Sequence, residues 1–148
     1  MTRVLFVGQA QSRTTASKPP FSGASAKRLA TWLGQTHEDF LESHDVMNLV
    51  VGWPGRARGV RGDAFDARAA GEAARLAPTA GRHVVLLGRA VAAVFGLDGH
   101  EPLSTVSSGI GTVFLLLPHP SGINRWYNEP QHVARARQAL QDFVLASI

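Results

Sequence analysis

Four short apolar runs most constrain this chain: Arg3 to Val7, Val46 to Val51, Arg82 to Leu87 and Val113 to Leu117, each of five or six residues. They are too short for typical helices and lack the polar alternation of a half-exposed strand, so they read as strands buried on both faces of a parallel sheet. Helical signals fall between them. Ser25 is placed to cap a helix to about Leu33, with Leu29, Trp32 and Leu33 on its packed face and Gly34 closing it. Thr36 starts a short helix to Ser43, and Asp63 or Asp66 starts an alanine-rich one to about Ala77, stopped by Pro78. Arg89 to Phe95 forms another, and Glu129-Pro130 opens the last, through about Ala146, with Val133, Ala136, Leu140, Phe143 and Val144 toward the core. This alternation predicts an α/β fold: a three-layer α/β/α sandwich on a mostly parallel sheet of about four strands, with a further short strand at Ser104 to Ser107. With 148 residues and no internal repeat or linker, one domain over 1–148 is expected.

Composition narrows the chemistry. Apolar residues at 45% and charged residues at 18% describe a chain that can build a core, not a disordered one. The net charge is +4, and 13 of the 15 basic residues are arginine, whose planar guanidinium suits phosphate and nucleic-acid partners. Cysteine is absent, which excludes disulfides, a thiol nucleophile and cysteine-ligated zinc or iron–sulfur centres. His37, His44 and His119 are scattered without paired carboxylates, so no metal or other cofactor is expected. Without a long apolar window the sequence predicts a soluble, cytoplasmic protein that needs no membrane, and a monomer is expected.

Chemistry-bearing residues gather in loops that follow strands, where open α/β sheets hold their ligands. The loop from Pro118 to Asn128 carries His119, Ser121, Asn124, Arg125, Trp126 and Tyr127, with Pro118 and Pro120 restricting the backbone on both sides of His119. Residues 8 to 23 form an unusually long loop rich in Ser, Thr, Gly and Pro, of the kind that is functional or mobile. Asn48 interrupts the second apolar run and must satisfy its amide through neighbouring backbone or a ligand. Gly52 to Gly62 is glycine-rich and holds Arg56, Arg58 and Arg61 beside Trp53, a pattern that suits either a nucleic-acid groove or a solvated surface. Leu86-Leu87-Gly88-Arg89 opens a helix whose first backbone donors could seat an anion.

Taken together, several of these stretches resemble the uracil-DNA glycosylase superfamily over nearly the whole chain. Gly8-Gln9-Ala10 with Pro20-Phe21-Ser22-Gly23 resembles its first motif region. Asn48 with Pro54-Gly55-Arg56 resembles the central motif, and Leu86-Leu87-Gly88-Arg89 the strand-turn after it. His119-Pro120-Ser121-Gly122-Ile123-Asn124 resembles the closing motif of the mismatch-specific branch. The resemblance implies a DNA repair hydrolase that flips a deaminated base, uracil or a relative, out of single- or double-stranded DNA and cleaves its N-glycosidic bond. By that resemblance Phe21 stacks on the base, Asn48 reads its Watson–Crick edge with Gly8 and Ala10 beside it, and His119 donates to the pyrimidine oxygen that gains charge. Ser121 to Asn128, Asn124 included, enters the minor groove with Ile123, Arg125 or Trp126 as wedge, and Arg56, Arg58 and Arg61 meet the DNA backbone.

One departure bears on rate. Where relatives place an acidic or amide residue in the first motif, this chain has Gln9 or Ala10, depending on the register, and neither is a carboxylate. Gln9 can orient a water but cannot accept its proton at neutral pH, and losing a general base typically costs about 10² to 10⁴ in rate. The expectation is a slow glycosylase served by His119 and Gln9, with a catalytically silent nucleic-acid- or base-binding member as the alternative and a nucleoside enzyme as the third reading. Salt separates them, since only a DNA binder loses affinity steeply as salt is added.

Overall fold

A computed structural model describes residues 3–11, 17–50, 53–55, 65–122 and 124–148. Five strands form one sheet: β1 (Leu5–Gly8), β2 (Asp45–Asn48), β3 (His83–Leu87), β4 (Thr105–Ser107) and β5 (Val113–Leu117), in the order β2-β1-β3-β5-β4. All pairings are parallel except that of β4 with β5. The expected sheet of about four strands therefore has a fifth. The run at Ser104 to Ser107 pairs antiparallel on the outer edge, where half-polar residues are tolerated because only one neighbour covers them.

The helices are α1 (Ala24–Trp32), α2 (His37–Ser43), α3 (Ala67–Leu76), α4 (Arg89–Val94) and α5 (Pro130–Ala146), with a 3-10 turn at Arg125–Asn128. Residues alternate across the sheet into two cores. Phe6, Val85, Leu87, Leu115 and Leu117 pack with α1, α2 and α5. Leu5, Val7, Val84, Leu86 and Leu116 pack with α3 and α4 on the other face. That accounts for the apolar runs of β1, β3 and β5, whose residues, the first of β3 and of β5 apart, are inside whichever way they point. β2, expected to be buried on both faces, is instead half-buried throughout because it lies at the edge. Trp32 is core, 5% exposed, as its place on the α1 face predicts.

Start signals read from sequence fail at α1 and hold at α2, α3 and α5, the last opened by Glu129 and Pro130. Thr36 caps α2 by accepting from the Asp39 amide at 3.0 Å, and Asp66 caps α3 by accepting from the Ala69 amide at 3.0 Å. Ser25 does not cap α1; Gly23 occupies that position, extended and without a side-chain bond, and Ser25 already lies inside the helix. The chain turns in earlier because Ser22 closes its own turn, its hydroxyl donating to the Pro19 carbonyl at 2.6 Å. β2 ends at Asn48, short of Val51, although the Leu49 and Val50 amides still bond Gly8 and Gln9 at 3.0 Å each.

β1 is followed by a connection leading outward to β2, and the chain then returns across β1 to β3. Strands β1 and β3 thus flank the point where the order reverses, and the crevice beyond their carboxyl ends is where such sheets bind. Among the described residues no helix is long and apolar enough to cross a membrane.

Candidate active site

A cavity of about 310 Å³ opens at that crevice. Gly8 from the end of β1, Asn48 from the end of β2, Leu87 from the end of β3 and His119 two residues past β5 all line it, with Phe21 and the start of α1 closing the side. The sequence runs 40 residues from Gly8 to Asn48 and a further 71 to His119, and only the parallel sheet brings them together.

Phe21 is held in an unusual state. Its φ is 63°, a region costly for a residue with a bulky side chain, and such outliers cost on the order of 1–3 kcal/mol. Three ties sustain it: His37 Nε2 donates to the Phe21 carbonyl at 2.7 Å, Ser22 bonds Pro19, and Gln11 Nε2 donates to the carbonyls of Lys18 and Pro19 at 2.5 and 2.9 Å. The ring then lies over residue 8. A Cβ there would come within 3.3 Å of Phe21 Cε1 and 2.5 Å of Asn48 Oδ1, so glycine at position 8 gives room to both.

Asn48 meets neither of the expected partners alone. Its Nδ2 donates to Gln11 Oε1 at 3.0 Å, a side chain 37 residues away in sequence. Gln11 is 6% exposed and joins the stacking loop to the polar end of β2. Sequence reading passed over it. Its signal was weak but present: a second amide, two residues after Gln9, in the first-motif segment.

His119 is fixed by its backbone. Asn124 Nδ2 donates to the His119 carbonyl at 2.9 Å while its Oδ1 accepts from the Trp126 amide at 3.1 Å, and Tyr127 donates its hydroxyl to the Pro118 carbonyl at 2.6 Å. Tyr127 is itself packed between Trp32 and Trp126, with the Arg28 guanidinium 4.8 Å from its ring, and burial raises its pKa. Behind His119 stands Gly88, where a Cβ would approach the histidine Cβ to 3.3 Å; its φ of +96° also suits glycine. Burial holds the His119 pKa below the ordinary histidine value, so the imidazole is neutral at pH 7. Among the described residues its ring nitrogens have no protein partner, leaving one N–H free to donate.

The family model of the uracil DNA glycosylase superfamily matches residues 1–141. The chain belongs to that superfamily. No curated protein matches it. Membership of the uracil DNA glycosylase superfamily points to glycosylase-type chemistry on DNA, and the five-stranded α/β sheet is consistent with it.

Against that membership, the other residues singled out from sequence fall into three groups. Gln9, Ala10 and Ser121 line the same cavity as Phe21, Asn48 and His119. Asn124 is occupied in holding its loop, and Trp126 is stacked on His132 with ring centroids 4.2 Å apart, whereas Arg125 is exposed. Arg56, Arg58, Arg61 and Ile123 lie outside the described residues. A second cleft of about 370 Å³ lies on the far side of His119, bordered by Arg89, His100 and Trp126. The histidine forms part of the wall of both. Among the described residues no cluster of His, Cys, Asp or Glu could hold a metal ion. His37 is spent on the Phe21 carbonyl, and His44 is packed against Phe6 and Phe40.

Proposed function

We propose that this protein is a DNA glycosylase that hydrolyses the N-glycosidic bond of a deaminated base flipped from DNA into the cavity between β1 and β3. The observation that carries the reading is the convergence of Phe21, Asn48 and a neutral His119 on one cavity at the carboxyl ends of the strands. In this reading Phe21 stacks on the base and Asn48 pairs with its edge. As the bond from the sugar to the base nitrogen breaks, its electron pair moves into the base, and the charge gathers on a ring carbonyl oxygen. The His119 N–H donates a hydrogen bond to that oxygen; a neutral imidazole does this without giving up a proton. Water adds to the sugar carbon left behind and releases its proton to solvent, with Gln9 orienting it through its amide oxygen. Arg89, which borders the second cleft beside His119, and the exposed Arg125 are the described arginines assigned to phosphate, and Arg125 is the wedge of choice over the stacked Trp126.

The test is single-turnover excision with enzyme in excess, on single- and double-stranded oligonucleotides carrying uracil, hypoxanthine or xanthine. Base release that falls about a hundred- to a thousandfold in His119→Ala supports the reading, in line with removal of one preorganised donor. No release from any of the three, in a wild-type protein that melts cooperatively, refutes it.

A second reading has its own observation. None of the described residues lining the cavity is acidic, so no carboxylate there can take a proton from water, and His119 is already committed as the donor to the base. A catalytically silent member that binds a flipped base fits that lining. Salt-sensitive binding without release, unrescued by Gln9→Glu or Ala10→Asp, would favour it.

A further inference from the structure

We propose that Gln11 is a positioning residue that fixes which way round Asn48 presents its carboxamide, and thereby limits the cavity to bases with a ring N–H beside a carbonyl oxygen. The proposal rests on the cavity being a base pocket and adds its selectivity. The carbonyls of Lys18 and Pro19 accept and never donate, so the end of Gln11 that meets them is its NH₂ group. The other end, Oε1, is thereby turned toward Asn48, and it too can only accept. Asn48 must answer with Nδ2, at 3.0 Å.

Its own oxygen is then left over Gly8, on the cavity wall, where the missing side chain gives it space. Asn48 thus offers the cavity an acceptor, Oδ1, beside its second Nδ2 hydrogen. The complement of that pair is a base edge with a ring N–H next to a carbonyl: uracil, hypoxanthine and xanthine have it. Cytosine and adenine present the reverse, a ring nitrogen acceptor beside an amino group.

Reading the reverse edge requires Asn48 to turn over, which sets its oxygen against Gln11 Oε1. Turning Gln11 as well only moves the conflict, setting Oε1 against two carbonyl oxygens. Gln11 is almost fully enclosed, so water does not relieve either arrangement. A lost hydrogen bond that strands a buried polar group corresponds to about tenfold to a hundredfold in an equilibrium constant. That is the selectivity expected from Gln11 through Asn48.

The experiment compares binding of two single-stranded oligonucleotides, one carrying deoxyuridine and one deoxycytidine, each with a fluorinated sugar that resists cleavage. Wild type is expected to favour the uracil strand by about tenfold to a hundredfold, and Gln11→Met, which keeps the length of the side chain but offers no acceptor, to bring the ratio close to one. A ratio unchanged in a folded Gln11→Met overturns the role of Gln11 while leaving the base pocket standing. Wild type binding both strands weakly and without distinction overturns the pocket and the proposal together.

A second measurement needs no variant. In the wild-type protein the Asn48 side-chain amide should give one pair of NMR signals with slow hydrogen exchange and a contact to Gln11; two interconverting orientations overturn the proposal.

Discussion

Tyr127 donates its hydroxyl to the carbonyl of Pro118 at 2.6 Å, so the residue directly before His119 is tied to the base of the 3-10 turn. Tyr127→Phe removes only that tie and leaves a half-buried carbonyl without it. A loss of about 1–2 kcal/mol in stability is expected, with excision slowed more than the binding of DNA, because the imidazole moves relative to its target oxygen. Urea unfolding and single-turnover rates on the same preparation would show both effects; an unchanged rate would mean the prolines alone hold His119.

Position 8 admits glycine for space. Gly8→Ala places a Cβ at 2.5 Å from Asn48 Oδ1, against an amide tied to Gln11 and unable to withdraw without breaking that bond. Uracil excision is expected to fall by about a hundredfold, while Gly71→Ala, in α3, whose added carbon meets nothing within 4 Å, leaves the rate unchanged. A fast Gly8→Ala enzyme would show that Asn48 is not held where it is needed.

His119 works as a neutral donor in the proposed chemistry, and burial lowers its pKa. The active form therefore dominates above the depressed value, so the rate should stay level from about pH 8 to below pH 6.5, the ordinary histidine value, and fall only in more acid solution. A pH–rate profile that drops already near pH 7 would place a different group in control.

Stability carries a related signature from the opposite end of the sheet. His44 is 6% exposed, packed on Phe6 and Phe40, and its Nδ1 has no partner. Burial chiefly, and then the Arg3 charge, lower its pKa, with Asp45 acting the other way. The unfolded chain thus binds this proton more readily than the folded one. The contribution of His44 is complete above about pH 6.5 and is lost as pH falls through its lowered folded-state value. His119 adds in the same direction. Urea midpoints should drop between neutral and mildly acid pH in wild type and drop less in His44→Phe.

The sequence made the framework easy to read where burial is complete. β1, β3 and β5 lie inside on both faces, so unbroken apolar runs mark them to within about two residues. β2 is half-buried along its length, and its end at Asn48 was hidden by the apolar residues after it. The ends of strands also exposed Gly8, Asn48 and His119, because ligands gather there in any parallel sheet. Gln11 escaped notice for the opposite reason. Its bonds reach 37 residues forward to Asn48 and back to its own loop, and no local spacing encodes that. Trp126 is one of three wedge residues the resemblance offers, with Ile123 and Arg125, and its stacking on His132 depends on the first turn of α5, which no local spacing encodes.

The sheet finishes at β4 with three residues, and Thr105 and Ser107 face outward with polar side chains. A rim that short, hydroxylated and turned antiparallel offers an incoming strand only a few backbone groups to zip onto. Concentrated protein should accordingly stay dispersed where a longer apolar border would seed fibres.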